Sequence, residues 1–188
     1  MTQSIRRGGR RVGLATRCAI AIATALASIV VLSSAQAQAQ AQAPAPDVLH
    51  PAGATHVVAS LEASGVQIYV CKRDAANQLA WTFQAPQAEL YDASGQLVVR
   101  HGAGPSWEAP DGSRITGKLL QHAANPDDAA AIPMLLLSAT SAGGPGLLNT
   151  VRYVQRLATH GGAAPAQACV HEGEEGRSPY LAQYVFLE

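Results

Sequence analysis

From residue 66 to residue 187 the chain returns again and again to an apolar/polar repeat of two, and the repeats are separated by Gly, Pro, Asp and Ser. That period puts alternate side chains on opposite faces of an extended strand, whereas a helix needs a period near 3.6. Val66-Gln-Ile-Tyr-Val-Cys71 sets Val66, Ile68 and Val70 against Gln67, Tyr69 and Cys71. Leu79, Trp81 and Phe83 share a face of the next run. Residues 88–91 and 96–100 flank Asp92-Ala-Ser-Gly95, a hairpin turn by composition, and residues 114–120 follow the second hairpin signal, Asp111-Gly112. Met134-Leu-Leu-Leu-Ser-Ala139 is apolar throughout and suits a strand buried on both faces. Residues 150–157 set Val151, Tyr153 and Leu157 against Arg152 and Arg156. Residues 180–187 form a last strand too apolar for an exposed edge, so it is expected beside a central one. Asp127 and Asp128 suit a helix start, but Pro133 limits any helix there to one or two turns. The expected fold is therefore all-β, an antiparallel sandwich or barrel with at most one short helix.

The first 47 residues read differently. Arg6, Arg7, Arg10, Arg11 and Arg17 precede an apolar stretch over 18–32, and Ala35 and Ala37 offer a small-x-small cleavage pattern. This is the anatomy of a secretory signal peptide over 1–37. The competing reading is a membrane anchor, but the run falls short of the roughly 20 residues that a spanning helix needs. Residues 38–47 are a Gln/Ala/Pro-rich leader without a bulky apolar side chain, expected to be disordered. A single β-rich domain is expected over 48–188, exported to the periplasm or the extracellular space, with no stable membrane span after cleavage.

Export changes the charge and cysteine arithmetic. Without the five leading arginines, eight Lys and Arg face thirteen Asp and Glu, a formal charge of −5. No basic stripe remains, which argues against nucleic-acid binding because phosphate neutralisation is its main source of affinity. Cys18 leaves with the signal, so Cys71 and Cys169 remain. Two cysteines in an exported domain most simply form a disulfide; a pair of buried thiols or a metal pair are the alternatives.

Several motifs occur together in a fixed order: Tyr69-Val-Cys71, Trp81-Thr-Phe83, Pro86-Gln-Ala-Glu-Leu90, Gly104-Pro-Ser-Trp-Glu108, Asp111-Gly-Ser113, Val154-Gln-Arg-Leu157 and Thr159-His-Gly-Gly-Ala-Ala-Pro165. In this order they resemble the family catalogued as domain of unknown function 3455, found in exported bacterial and fungal proteins. The resemblance implies a small, secreted, β-rich domain and carries no assigned activity. Some fungal relatives bear a malate dehydrogenase label, which this chain does not support. Its one glycine-rich loop, Gly143-Gly-Pro-Gly-Leu-Leu-Asn149, has Asn149 in the third glycine position and Pro145 where a phosphate cradle needs an amide N–H. An NAD-dependent dehydrogenase is rejected, and no cofactor is expected.

Two polar clusters remain. His101, Trp107, Glu108 and Asp111 lie within eleven residues among Gly and Pro, and Arg156 with His160 precedes Gly161-Gly162. A His with two carboxylates has the groups for acid–base work or cation binding, and an Arg beside glycine amides has those for a carboxylate or phosphate. The bland alternative makes the first cluster a pair of turns around a packed Trp107, and pairs Arg156 with Glu108 or Glu89. No spacing matches a metal motif, and no metal site is assigned. His101, Trp107, Glu108, Asp111, Arg156 and His160 are the candidate ligand-binding residues. The expected function is a ligand-binding or interaction module for a small molecule or an envelope or extracellular partner. The alternative is a secreted hydrolase or metal-dependent enzyme using His101 with Glu108 or Asp111.

Overall fold

Alternation combined with short turns gives strands that pair with their sequence neighbours, and here the pairing closes on itself. The computed structural model describes residues 42–53 and 56–188. The signal-peptide reading of 1–37 and the leader positions 38–41 lie outside the described residues. Eight strands run β1 (Val57–Arg73), β2 (Leu79–Tyr91), β3 (Leu97–Gly102), β4 (Ser106–Glu108), β5 (Arg114–Ala123), β6 (Met134–Ser141), β7 (Tyr153–Gly161) and β8 (Glu175–Leu187). Each pairs antiparallel with the next, and β8 returns to β1 to complete a closed barrel. Of the two architectures left open by the sequence, the barrel is the one that forms. Closure also leaves the apolar β8 no free edge, since β7 and β1 flank it.

The one helical element among the described residues is a 3-10 turn at Asp47–Leu49. The short helix allowed for at 127–132 does not form. Asp128 instead accepts the Ala130 amide, and the Ile132 amide donates to the Gly161 carbonyl at 2.9 Å, tying this connection to β7.

One end of the barrel is filled. Leu90, Val99, Ile115, Val154 and Phe186 are buried there, and the β6–β7 connection inserts Leu148 and Val151, both without exposure. The glycine-rich loop belongs to this plug. The Leu147 amide donates to Asp111 Oδ2 at 2.7 Å, and the Leu148 amide to Ser113 Oγ at 3.1 Å.

A second apolar cluster lies on the outer wall, where Leu49, Met134, Leu136, Leu157, Val185 and Leu187 meet. Part of the leader takes part in it: Ala43 and Ala45 pack against this cluster, and the Ala43 amide donates to Gln183 Oε1. Gln155 Nε2 donates to the Leu49 carbonyl at 2.7 Å. This strap buries the outer faces of β6, β7 and β8, so the unbroken apolar run in β6 has a core on each side.

Two strands carry a parity that hydrophobicity alone does not give. In β1, Leu61, Ala63, Gln67 and Tyr69 share the buried face, while Val66, Ile68 and Val70 stay half-buried. In β7, Arg156 follows Val154 inward, and Leu157 joins the outer cluster. The disulfide forms between Cys71 on β1 and Cys169 in the β7–β8 connection, with a Cα–Cα distance of 5.8 Å. That removes the free-thiol and metal-pair alternatives.

Candidate functional site

The end of the barrel opposite the plug is not filled. An eight-stranded barrel is just wide enough to pack its lumen with side chains or to hold one small ligand. Here a chamber of about 510 Å³ opens between β1, β2, β5 and β6. Its wall is mostly apolar, formed in part by Leu119, Ile132, Leu135 and Leu137, and Phe83 and Leu119 stay half-exposed beside it. Local irregularities make the room. In β2 a bulge leaves Gln84 without a partner on β1; the ladder resumes at Ala85 opposite Ile68, and Pro86 follows directly, next to a bulge that tolerates a proline. Gly117 leaves the space in which the Trp107 indole lies: a Cβ there would stand 2.8 Å from Trp107 Cζ3.

Trp107 forms the inner wall with His101, the rings stacked at 4.6 Å and 7°. Tyr184 meets the His101 ring at 5.2 Å, and Phe186 meets the indole edge-on at 6.2 Å. His101 is 5% exposed. Its Nδ1 lies 2.8 Å from the Ser106 carbonyl, which accepts but never donates, so Nδ1 carries the proton and Nε2 is left as an acceptor. Burial pushes the His101 pKa down to about 4; the Ser106 bond opposes this and the Arg156 charge adds to it. The ring is therefore neutral at pH 7. Burial also raises the Tyr69 hydroxyl, here with the Arg156 charge opposing it, and that hydroxyl donates to the Gly162 carbonyl at 2.7 Å.

Arg156 is the one formally charged side chain among the described residues lining the chamber. It is 8% exposed. Its Nε and Nη2 both donate to the Pro133 carbonyl, at 3.2 and 2.8 Å. No carboxylate lies within ion-pair distance of it among the described residues, and the pairing with Glu108 or Glu89 allowed for by the sequence does not occur. Glu89 lies 3.5 Å from Arg100 and accepts from Tyr91. Two further lining residues hold buried donors without partners, Gln67 Nε2 and Trp107 Nε1. A buried polar group left unpaired costs about 1–3 kcal/mol, and an unpaired charge more. These unsatisfied groups gather around one cavity.

Of the six candidate residues, His101, Trp107 and Arg156 meet at the chamber. The other three lie elsewhere. Glu108 alternates with Trp107 along β4 and is exposed on the outer face. Asp111 is at the plugged end, where its Oδ1 accepts the Ser113 hydroxyl and amide and its Oδ2 the Leu147 amide, bonds that hold its carboxyl below the usual range. His160 is exposed at the end of β7, with Nδ1 3.5 Å from Asp128. Gln67, Tyr69 and Tyr184 are chamber residues that the pattern did not single out. The signal available for Gln67 was a polar residue in phase with Leu61 and Ala63.

A family model, Protein of unknown function (DUF3455), matches residues 51–188, which span all eight strands. The chain belongs to this family. No curated protein and no solved structure matches it significantly. Within this DUF3455 domain the chamber brings no carboxylate to His101, and no group of three His, Cys, Asp or Glu among the described residues is placed to hold a metal ion. What the arrangement offers chemically is an apolar wall, an acceptor at His101 and unspent donors at Arg156, Gln67 and Trp107.

Proposed function

We propose that this protein is an exported small-molecule-binding module and that the barrel chamber is its ligand site. The single observation that carries the reading is the chamber itself, about 510 Å³ in size, in a barrel whose other end is packed solid. Ligand sites are typically concave, largely apolar and furnished with a few convergent polar groups, which is the composition of this wall. Export is supported by the signal-like start of the sequence and is consistent with the disulfide. Among the described residues no helix is long and apolar enough to cross a membrane. The alternative of a hydrolase using His101 with Glu108 or Asp111 has less support, because neither carboxylate reaches the ring.

The test is a titration with uncharged one- and two-ring aromatic alcohols, followed by tryptophan quenching and thermal shift. Saturable one-to-one binding is expected, and Leu135→Trp, which fills the chamber, should abolish it. No binding by any member of the series, or binding unaffected by Leu135→Trp, would overturn the reading.

A further inference from the structure

Resting on the reading of the chamber as a ligand site, we infer that its ligand is an organic anion: a carboxylate on an apolar, preferably flat body, with the carboxylate seated on Arg156. The argument starts from the guanidinium. It has five N–H donors in a fixed planar fork and stays charged at any pH the fold survives. The edge formed by Nε and Nη2 is committed to the Pro133 carbonyl. Nη1 has no acceptor among the described residues, so the end-on edge, Nη1 with the second hydrogen of Nη2, is uncommitted there. That edge matches the two oxygens of a carboxylate.

A purely structural role does not account for this choice of side chain. Holding one carbonyl needs a donor, which a neutral amide supplies without taking a charge out of water. Buried charges in proteins are paired, and among the described residues the only partner here is a neutral carbonyl at the wall of a mostly apolar chamber. The electrostatics agree: among the described residues no Asp, Glu or Lys lines the chamber, and His101 is neutral, so an entering anion meets one cation and no competing carboxylate there. The rest of the wall describes the body of the ligand. The stacked pair of His101 and Trp107 is flat, and Leu135, Leu137 and Leu119 extend the apolar surface beyond it.

The probes are 2-naphthoate and its uncharged counterpart 2-naphthamide, titrated by calorimetry at pH 7 into the wild-type protein, Arg156→Met and Arg156→Lys. The wild type is expected to bind the acid at least tenfold more tightly than the amide. Arg156→Met should lose that preference while holding the amide within threefold of its original affinity. Arg156→Lys, which keeps the charge but not the planar fork, should retain a smaller preference. The wild-type ratio is informative even if a variant fails to fold. If the wild type binds both probes within threefold of each other, or if the preference survives in Arg156→Met, the anion inference falls and the chamber remains a ligand site. If neither probe binds, the ligand-site reading falls, and the inference with it.

Discussion

With the His101 ring held between Trp107 and Tyr184 and its Nδ1 committed to Ser106, protonation must put a charge on Nε2 at a nearly dry site. Burial is the main reason its pKa falls from 6.5 to about 4, and the Arg156 charge works in the same direction. A histidine whose pKa is lower in the folded state takes up its proton more readily when unfolded. Its contribution to stability is therefore fully present above about pH 6.5 and is lost as the pH falls toward 4. Denaturant unfolding at pH 7 and pH 4.5 should show a loss of about 2 kcal/mol from this group. His101→Gln should remove that share of the pH dependence, and an unchanged slope in the variant would contradict the assignment. The same scale explains why the polar cluster was only half legible. His101, Trp107 and Arg156 were recognisable by type, and so were Glu108, Asp111 and His160. Residue type does not report which side of a strand faces the lumen, or which end of the barrel a turn closes.

At the level of elements, the legible strands were those with one covered face and one wet face. In β3 and β5 the repeat of two and the flanking turns located the strand. In β7 the signal failed, because the strap buries the outer face that carries Leu157 while the lumen takes Arg156. A strand covered on both sides has no polar face to set its phase. The three-residue β4 is too short to show a period at all, and reads as turn between its glycines and prolines. Beside it, Gly117 of β5 is the element-level device that admits Trp107. Gly117→Ala would bring a methyl group within 2.8 Å of the indole and 3.2 Å of Leu137 Cδ2. The rigid ring has little freedom to yield, so the substitution is expected to destabilise the fold by about 1–3 kcal/mol. A urea unfolding midpoint equal to that of the wild type would show that the indole can move aside.

For the molecule as a whole, the β7–β8 connection is held to the open end at several places. The Cys71–Cys169 disulfide fixes it, Trp81 Nε1 donates to the Gln167 carbonyl at 2.7 Å, and Tyr69 donates to Gly162. The disulfide spans 98 residues, a loop long enough for the chain-entropy model to assign it about 4–5 kcal/mol. The double variant Cys71→Ala/Cys169→Ala should lose a large part of that in equilibrium unfolding. Weaker binding of the aromatic probes should accompany it, since Tyr69 loses a fixed neighbour. Stability equal to the wild type under non-reducing conditions would show that the other contacts suffice.

His56 and Glu188 exchange backbone hydrogen bonds, each 3.0 Å long, next to the Val57–Leu187 pair. This junction sits at the plugged end, away from the chamber. A protein immobilised on a sensor surface through a tag fused after Glu188 would stand with its mouth turned toward the flowing solution. Small molecules should then reach the lumen as freely as they do in free solution. The same orientation suits a fluorescent or affinity handle fused after Glu188 to every binding experiment described above.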